Sequence, residues 1–341
     1  MHASIRATRG LAFVALACLT WPAQAEWFHR ETAIMGTRIA VELWAADPAG
    51  GESAMDAVME EMRRVDALMS HYKPESQLSQ VNRLAAKEPV QVDAELSGLV
   101  QRALGLSELT GGAFDITYAS VGYLYDYRAH VKPTARQIES GLGAVNWRNV
   151  VVDAEASTVR FARDGVRIDL GGIAKGYAVD RAIDILRSRG IEHASVTAGG
   201  DSRIVGDRFG RPWIIGIRHP DDPGKVIVRM PLVDAALSTS GDYERYFDED
   251  GQRYHHIIDP KTGRSAGEVR SVTVIGPDAT TTDGLSTSVF VLGPERGLAL
   301  VEGIADVDAV IVRRDGKVLY SSGLAAPGAG DDRASQNQPE K

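Results

Sequence analysis

The chain has 341 residues, 44% apolar and 25% charged, with 35 glycines and 14 prolines, a usage that excludes collagen-like, wholly disordered and polytopic membrane proteins. Its 38 basic and 46 acidic residues give a formal charge of −8, which argues against nucleic-acid binding and against a polybasic membrane patch. Cys18 is the only cysteine, so disulfides, zinc–thiolate sites and iron–sulfur clusters have no framework.

The first feature along the chain is an address. Arg6 and Arg9 precede an apolar run, Leu11–Leu19, and Ala23-Gln24-Ala25 puts small residues at the −3 and −1 positions of a cleavage site. This predicts a signal peptide over residues 1–25 and a periplasmic mature protein beginning at Glu26. The run is too short to span a bilayer, so no transmembrane segment is expected after cleavage. Lipid attachment at Cys18 is the rival, but Ala15-Leu16-Ala17 matches the required triplet poorly. Residues 26–324 read as one compact unit, and 325–341, rich in Gly, Pro, Asp, Ser and Gln, as a disordered tail.

After Trp27 a strand is expected in which Ile39, Val41 and Leu43 alternate with polar or small residues. Met55, Val58, Met59, Met62, Val65 and Met69 recur at helical spacing over Glu52–Ser70. Four of the seven methionines lie on this stripe, yet no histidine is interleaved at ligand spacing, so it reads as a packed helix face and not a copper site. A second helix follows Asp93 and stops at Thr110-Gly111-Gly112. Val166–Leu170 looks like a strand running into Gly171-Gly172. With the helix carrying Val179, Ala182, Ile183 and Leu186, and a strand over Ala194–Thr197, it predicts a βαβ segment over 166–198. Asp250-Gly251 signals a hairpin. Val272–Ile275 is a strand, and Thr280-Thr281-Thr282-Asp283 offers N-caps for a helix carrying Leu285, Val289 and Leu292. The fold class is α+β, a single compact unit of mixed sheet and helices.

Four groups of residues bear on chemistry. Ser70-His71-Tyr72-Lys73 and Lys261-Thr262-Gly263 fit the S-x-x-K and K-T-G elements of penicillin-interacting serine enzymes. Pro74, however, drives Lys73 out of the α region, and Lys261 follows Asp259-Pro260 in a turn. The glycine turn before Lys175 leaves amides at a positive helix end, a setting for phosphate, or else is a tight connection with an exposed lysine. Asp283 and Thr287, one turn apart, offer two oxygens to a hard cation, or else cap and back-bond. His255 and His256 alternate in direction, so only one of them faces a given cleft, where it can shuttle a proton.

The order of motifs is more specific than any one of them. Met35-Gly36-Thr37, Ser70–Tyr72, Thr110–Asp115, Asp169–Tyr177, Ala198–Asp201, Thr239–Tyr243, His256–Pro260 and Thr282–Thr287 together resemble the FAD:protein FMN transferase family, also called ApbE, over roughly residues 30–320. The resemblance implies an FAD- and Mg2+-dependent enzyme that moves FMN from FAD to a threonine hydroxyl of an acceptor protein and releases AMP. That acceptor would be a flavin-acceptor protein of a respiratory or electron-transport complex. Carried onto this sequence, Met35, Tyr72, Ala113, Phe114, Asp115 and Ile258 would contact FAD. Gly172, Lys175 and Tyr177 would lie at the pyrophosphate. The Ala174 carbonyl with Asp283 and Thr287 would hold the metal, with Asp283 also counted as catalytic. His256 would take the proton, with Asp242 and Asp259 next in line. Ile116 departs from a common proline, and Gly284 and Ser288 from common alanines. An FAD pyrophosphatase giving FMN and AMP, and a non-catalytic flavin-binding protein, are the alternatives. Tyr72 matches transferase members, whereas an asparagine accompanies the hydrolytic type.

Overall fold

A computed structural model describes residues 25–222 and 224–324. All but one residue of the expected signal peptide, and the whole of the expected tail over 325–341, lie outside the described residues. One eight-stranded sheet organises the molecule, with strands in the order Glu26–Ile34, Thr37–Ala45, Ala194–Ala198, Asp201–Val205, Ala236–Gly241, Val269–Gly276, Asp308–Arg313 and Val318–Tyr320. Every neighbouring pair is antiparallel. The α+β class therefore stands, but the βαβ reading is corrected.

The reason lies in residues 166–170. Val166, Ile168 and Leu170 are buried and alternate as a strand would, but their neighbours on either side are not strands. The Asn82 side chain accepts from the Ile168 amide at 2.8 Å and donates to the Ile168 carbonyl at 2.9 Å. The Arg167 amide donates to Ser120 Oγ, and the Asp169 amide to the Ile116 carbonyl. An extended segment whose polar groups are met by side chains and a loop has the strand pattern without the ladder.

Eight α-helices are present among the described residues: α1 (Pro48–Met69), α2 (Gln77–Leu84), α3 (Ala94–Leu109), α4 (Ala119–Gly122), α5 (Ala135–Leu142), α6 (Ala174–Ser188), α7 (Ala279–Leu292) and α8 (Pro294–Glu302). The methionine stripe of α1 is buried throughout, as the helix spacing predicts. It joins the main core with the inward residues of the sheet and of α6 and α7. On the opposite sheet face Leu237, Ile275 and Val310 pack against Ile217 and Met230 of the hairpin Trp213–Arg218/Val226–Leu232. Asp250 (φ 50°) and Gly251 (φ 73°) form the predicted tight hairpin turn between Tyr246–Glu249 and Gln252–His255.

Helices α6 and α7 meet at Gly176, where a Cβ would stand 2.1 Å from the Ala279 carbonyl oxygen. Only hydrogen fits between these two backbones. Gly176→Ala must push the helices apart, and a loss of about 3 kcal/mol, at the upper end of overpacking penalties, is expected as a lower thermal midpoint.

Candidate active site

The junction of α6 and α7 also gathers charge. Asp283 is 2% exposed, and its Oδ2 accepts from the Gly176 amide at 3.0 Å. It caps the first turn of α6, which has no cap from its own N-cap residue, Ile173. In return, Asp180 of α6 accepts from the Ala279 and Thr280 amides at 2.9 and 2.8 Å. Each helix thus lends a carboxylate to the positive start of the other. The cap of α7 itself is Asp278, which accepts from Thr281, and not a residue of Thr280–Asp283.

Lys175 lies inside this group. Its Nζ is 2.7 Å from Asp201 Oδ2 and 3.3 Å from Asp283. Burial works to lower its pKa, but the two carboxylates hold it above its ordinary value. Burial and the nearby Asp201 push the Asp283 carboxyl up, against the pull of Lys175 and the Gly176 amide. The reading of Lys175 as an exposed lysine on a tight connection is therefore corrected: its ammonium is counter-ion to two buried carboxylates. Thr287, one turn beyond Asp283, is partly exposed, with Oγ1 3.3 Å from Ser240 Oγ. A Cβ at Gly172 would stand 3.3 Å from that same Oγ1, so the glycine turn passes directly over Thr287. The carboxylate of Asp283, the hydroxyl of Thr287 and the carbonyl of Ala174 offer hard oxygens that suit Mg2+. Among the described residues no group of three His, Cys, Asp or Glu makes a metal cage. An ion here must draw further ligands from substrate phosphates and water.

The two histidines part as predicted. His255 ends its strand buried in the core, with Nε2 2.6 Å from the Ala266 carbonyl and its ring edge-on to Phe290. His256 lies in the bend that follows, and its Nδ1 is buried without a hydrogen-bond partner. Burial, with Arg245, His255 and Lys175 nearby, holds its pKa down at about 3. A depressed folded-state pKa makes this histidine's contribution to stability full above its ordinary 6.5, and it fades as pH falls toward 3. His256→Phe should therefore flatten the acid-side decline of the thermal midpoint between pH 6.5 and pH 4. The alternative bases are engaged elsewhere. Asp242 pairs with Arg270 at 2.8 Å, and Asp259 accepts from the Lys261 amide in its turn.

The remaining candidates divide. Met35 (φ 56°) and Gly36 (φ 68°) turn the first hairpin, and Arg245 reaches to within 3.8 Å of where a Gly36 Cβ would be. Tyr72 is 73% exposed on the bend after α1, free to meet a ligand. Ala113 and Phe114 are buried, and the Phe114 ring underlies Gly172 and Gly284. Asp115 turns inward: Oδ1 accepts from the Thr117 amide and hydroxyl, and Oδ2 from the Trp147 amide. It shapes the loop instead of offering a free carboxylate. Tyr177 points away from the α6–α7 junction, donating to Glu95 at 2.6 Å. Ile258 is buried in a short strand paired with Arg264–Ser265. Asp115 and Tyr177 thus each have protein partners of their own in this arrangement. Lys73 pairs with Asp66, and Lys261-Thr262-Gly263 forms a turn, so the serine-enzyme reading fails on geometry.

Sequence reasoning missed Asp201, although it stands in the quoted Ala198–Asp201 motif, and Asp180, whose helical position gave no sign that it serves another helix. Arg245 was missed as well, being one of many surface arginines by sequence.

A family model described as the ApbE family matches residues 35–311. The FAD:protein FMN transferase of Vibrio cholerae is 36% identical over 316 residues, covering 89% of this chain and 93% of its own. That of Treponema pallidum is 33% identical over 317 residues, covering 87% of each. Among solved structures, the ApbE protein of Thermotoga maritima matches with a TM-score of 0.81 at 37% identity, over 87% of this chain and 98% of its own. The flavin transferase ApbE of Vibrio cholerae matches with a TM-score of 0.77 at 32% identity, over 88% and 98%.

Proposed function

Since the chain belongs to the ApbE family, we propose that it transfers the FMN half of FAD to a threonine hydroxyl of an acceptor protein and releases AMP. The observation that carries the site assignment is the unpartnered buried Nδ1 of His256, with Arg245 and Lys175 among the charges around it and Lys175 bound in turn to Asp283.

In this reading the FAD pyrophosphate lies across the Gly171-Gly172 turn, where the start of α6 favours negative charge. When bound, Mg2+ polarises the pyrophosphate and offsets the charge that develops on it. Lys175 sits where its ammonium steadies that charge, and Asp201 keeps it in place. The acceptor hydroxyl forms a bond from its oxygen to the FMN phosphorus, and the bridging P–O bond breaks toward AMP. His256 takes the hydroxyl proton. Its low pKa belongs to a cleft holding Arg245 and Lys175 but no phosphate; the negative charge of the substrate raises it toward the range of a working base.

Water in place of the acceptor hydroxyl would make the same site an FAD pyrophosphatase. Tyr72 supports transfer, so Tyr72→Asn should lower the ratio of flavinylated acceptor to free FMN. The decisive experiment incubates the protein with FAD, Mg2+ and a flavin-acceptor domain of an electron-transport complex. An acceptor heavier by one FMN residue is the expected result; free FMN with an unmodified acceptor would favour the hydrolase. Arg6, Arg9, Leu11–Leu19 and Ala23-Gln24-Ala25 support a periplasmic setting, with N-terminal sequencing expected to begin at Glu26.

A further inference from the structure

His71, beside Tyr72, is a histidine that the transfer reaction, as derived above, does not use. His71 and Tyr72 form the bend leaving α1, with ring centroids 3.9 Å apart and planes tilted by 39°. The His71 Nδ1 lies 3.3 Å from Asp169 Oδ1, and a third of the side chain is exposed. Asp169 is the hub of a small network. Its Oδ2 accepts from the Tyr118 hydroxyl at 2.7 Å, and its Oδ1 also accepts from the Gly171 amide at 2.7 Å. One carboxylate thus ties the ring beside Tyr72 to the glycine turn that opens α6.

We propose that His71 is a positioning residue for the flavin end of the substrate. Held by Asp169, its ring fixes Tyr72 as a stacking platform, and the shared carboxylate sets that platform at a constant distance from the pyrophosphate turn. The inference rests on the FAD-transferase reading. Its physical basis is that Tyr72 is largely exposed and has little packing of its own, so it would lose side-chain freedom on stacking against a ligand. A neighbour that already aligns it removes part of that cost.

The test separates the two ends of the substrate, using FAD as the whole ligand and ADP as a probe of the pyrophosphate turn without flavin. In His71→Ala, the Kd for FAD should rise roughly tenfold, the loss of one aromatic contact. Quenching of flavin fluorescence on binding should weaken, while ADP binds as in wild type. His71→Phe keeps a ring against Tyr72 and should recover part of the quenching. Asp169→Asn should weaken both FAD and ADP, because it loosens the hub. Wild-type FAD affinity and quenching in His71→Ala would overturn the proposal. So would an equal loss of ADP and FAD in that variant, which is what general disruption gives. If the wild-type protein bound ADP but not FAD, the transferase reading would fall, and this inference with it; a variant that behaves as wild type removes the inference alone.

Discussion

Asp283→Ala is expected to abolish transfer while leaving the protein folded. The substitution removes the only carboxylate in the proposed Mg2+ ligand set, and neither Thr287 nor a backbone carbonyl can supply the missing charge. Loss of several kcal/mol of charge stabilisation corresponds to a fall of roughly 10³-fold or more in rate. Stability should change far less. Lys175 keeps Asp201 at 2.7 Å, and the lost acceptor for the Gly176 amide costs about 1 kcal/mol, as a helix cap does. Asp283→Asn separates the two roles, since its amide oxygen still caps α6 but carries no charge. It should melt close to wild type and remain inactive at any Mg2+ concentration. Mg2+-dependent turnover in the asparagine variant would place the metal elsewhere.

His256→Ala is expected to lower kcat by roughly 10²–10⁴-fold, the usual share of a general base, with FAD affinity close to wild type. The buried Nδ1 of His256 has no hydrogen-bond partner, so truncation breaks no hydrogen bond at that atom. The two variants differ in a measurable way: titration with Mg2+ should show wild-type affinity in His256→Ala and a collapse in Asp283→Ala. Near-normal turnover in His256→Ala would exclude it as the base. Asp242 and Asp259 are poor substitutes, because Arg270 and the Lys261 amide already engage them.

Where a residue's role depends on its own periodicity, the sequence displayed it. The α1 stripe, the Asp250-Gly251 turn, the helix after Asp93 and the parting of His255 from His256 all follow from local spacing and turn chemistry. Residues 166–170 show the limit of that reasoning. Alternating burial records which side chains face inward, but the partner of a backbone amide is set by tertiary placement, here of Asn82. The same limit applies to Lys175. Its position after the glycine turn points to an anion site, but the carboxylates that hold it there come from a strand start at Asp201 and a helix a hundred residues away. The resemblance places Asp115 and Tyr177 near the cofactor, but the partners each one has in the fold, Thr117 and Trp147 for the first and Glu95 for the second, are not encoded in a motif.

The exchange of carboxylates between α6 and α7 makes the Gly176 amide a reporter of the site. A cation that draws Asp283 toward itself weakens the acceptor of that one N–H, and the first turn of α6 opens more readily. Amide hydrogen exchange at Gly176 would then quicken as the site fills, while the Ala279 and Thr280 amides, held by Asp180, keep their protection. Most ligands slow exchange where they bind; a cation at Asp283 would do the reverse at this one residue, so occupancy could be followed without a substrate or a turnover assay.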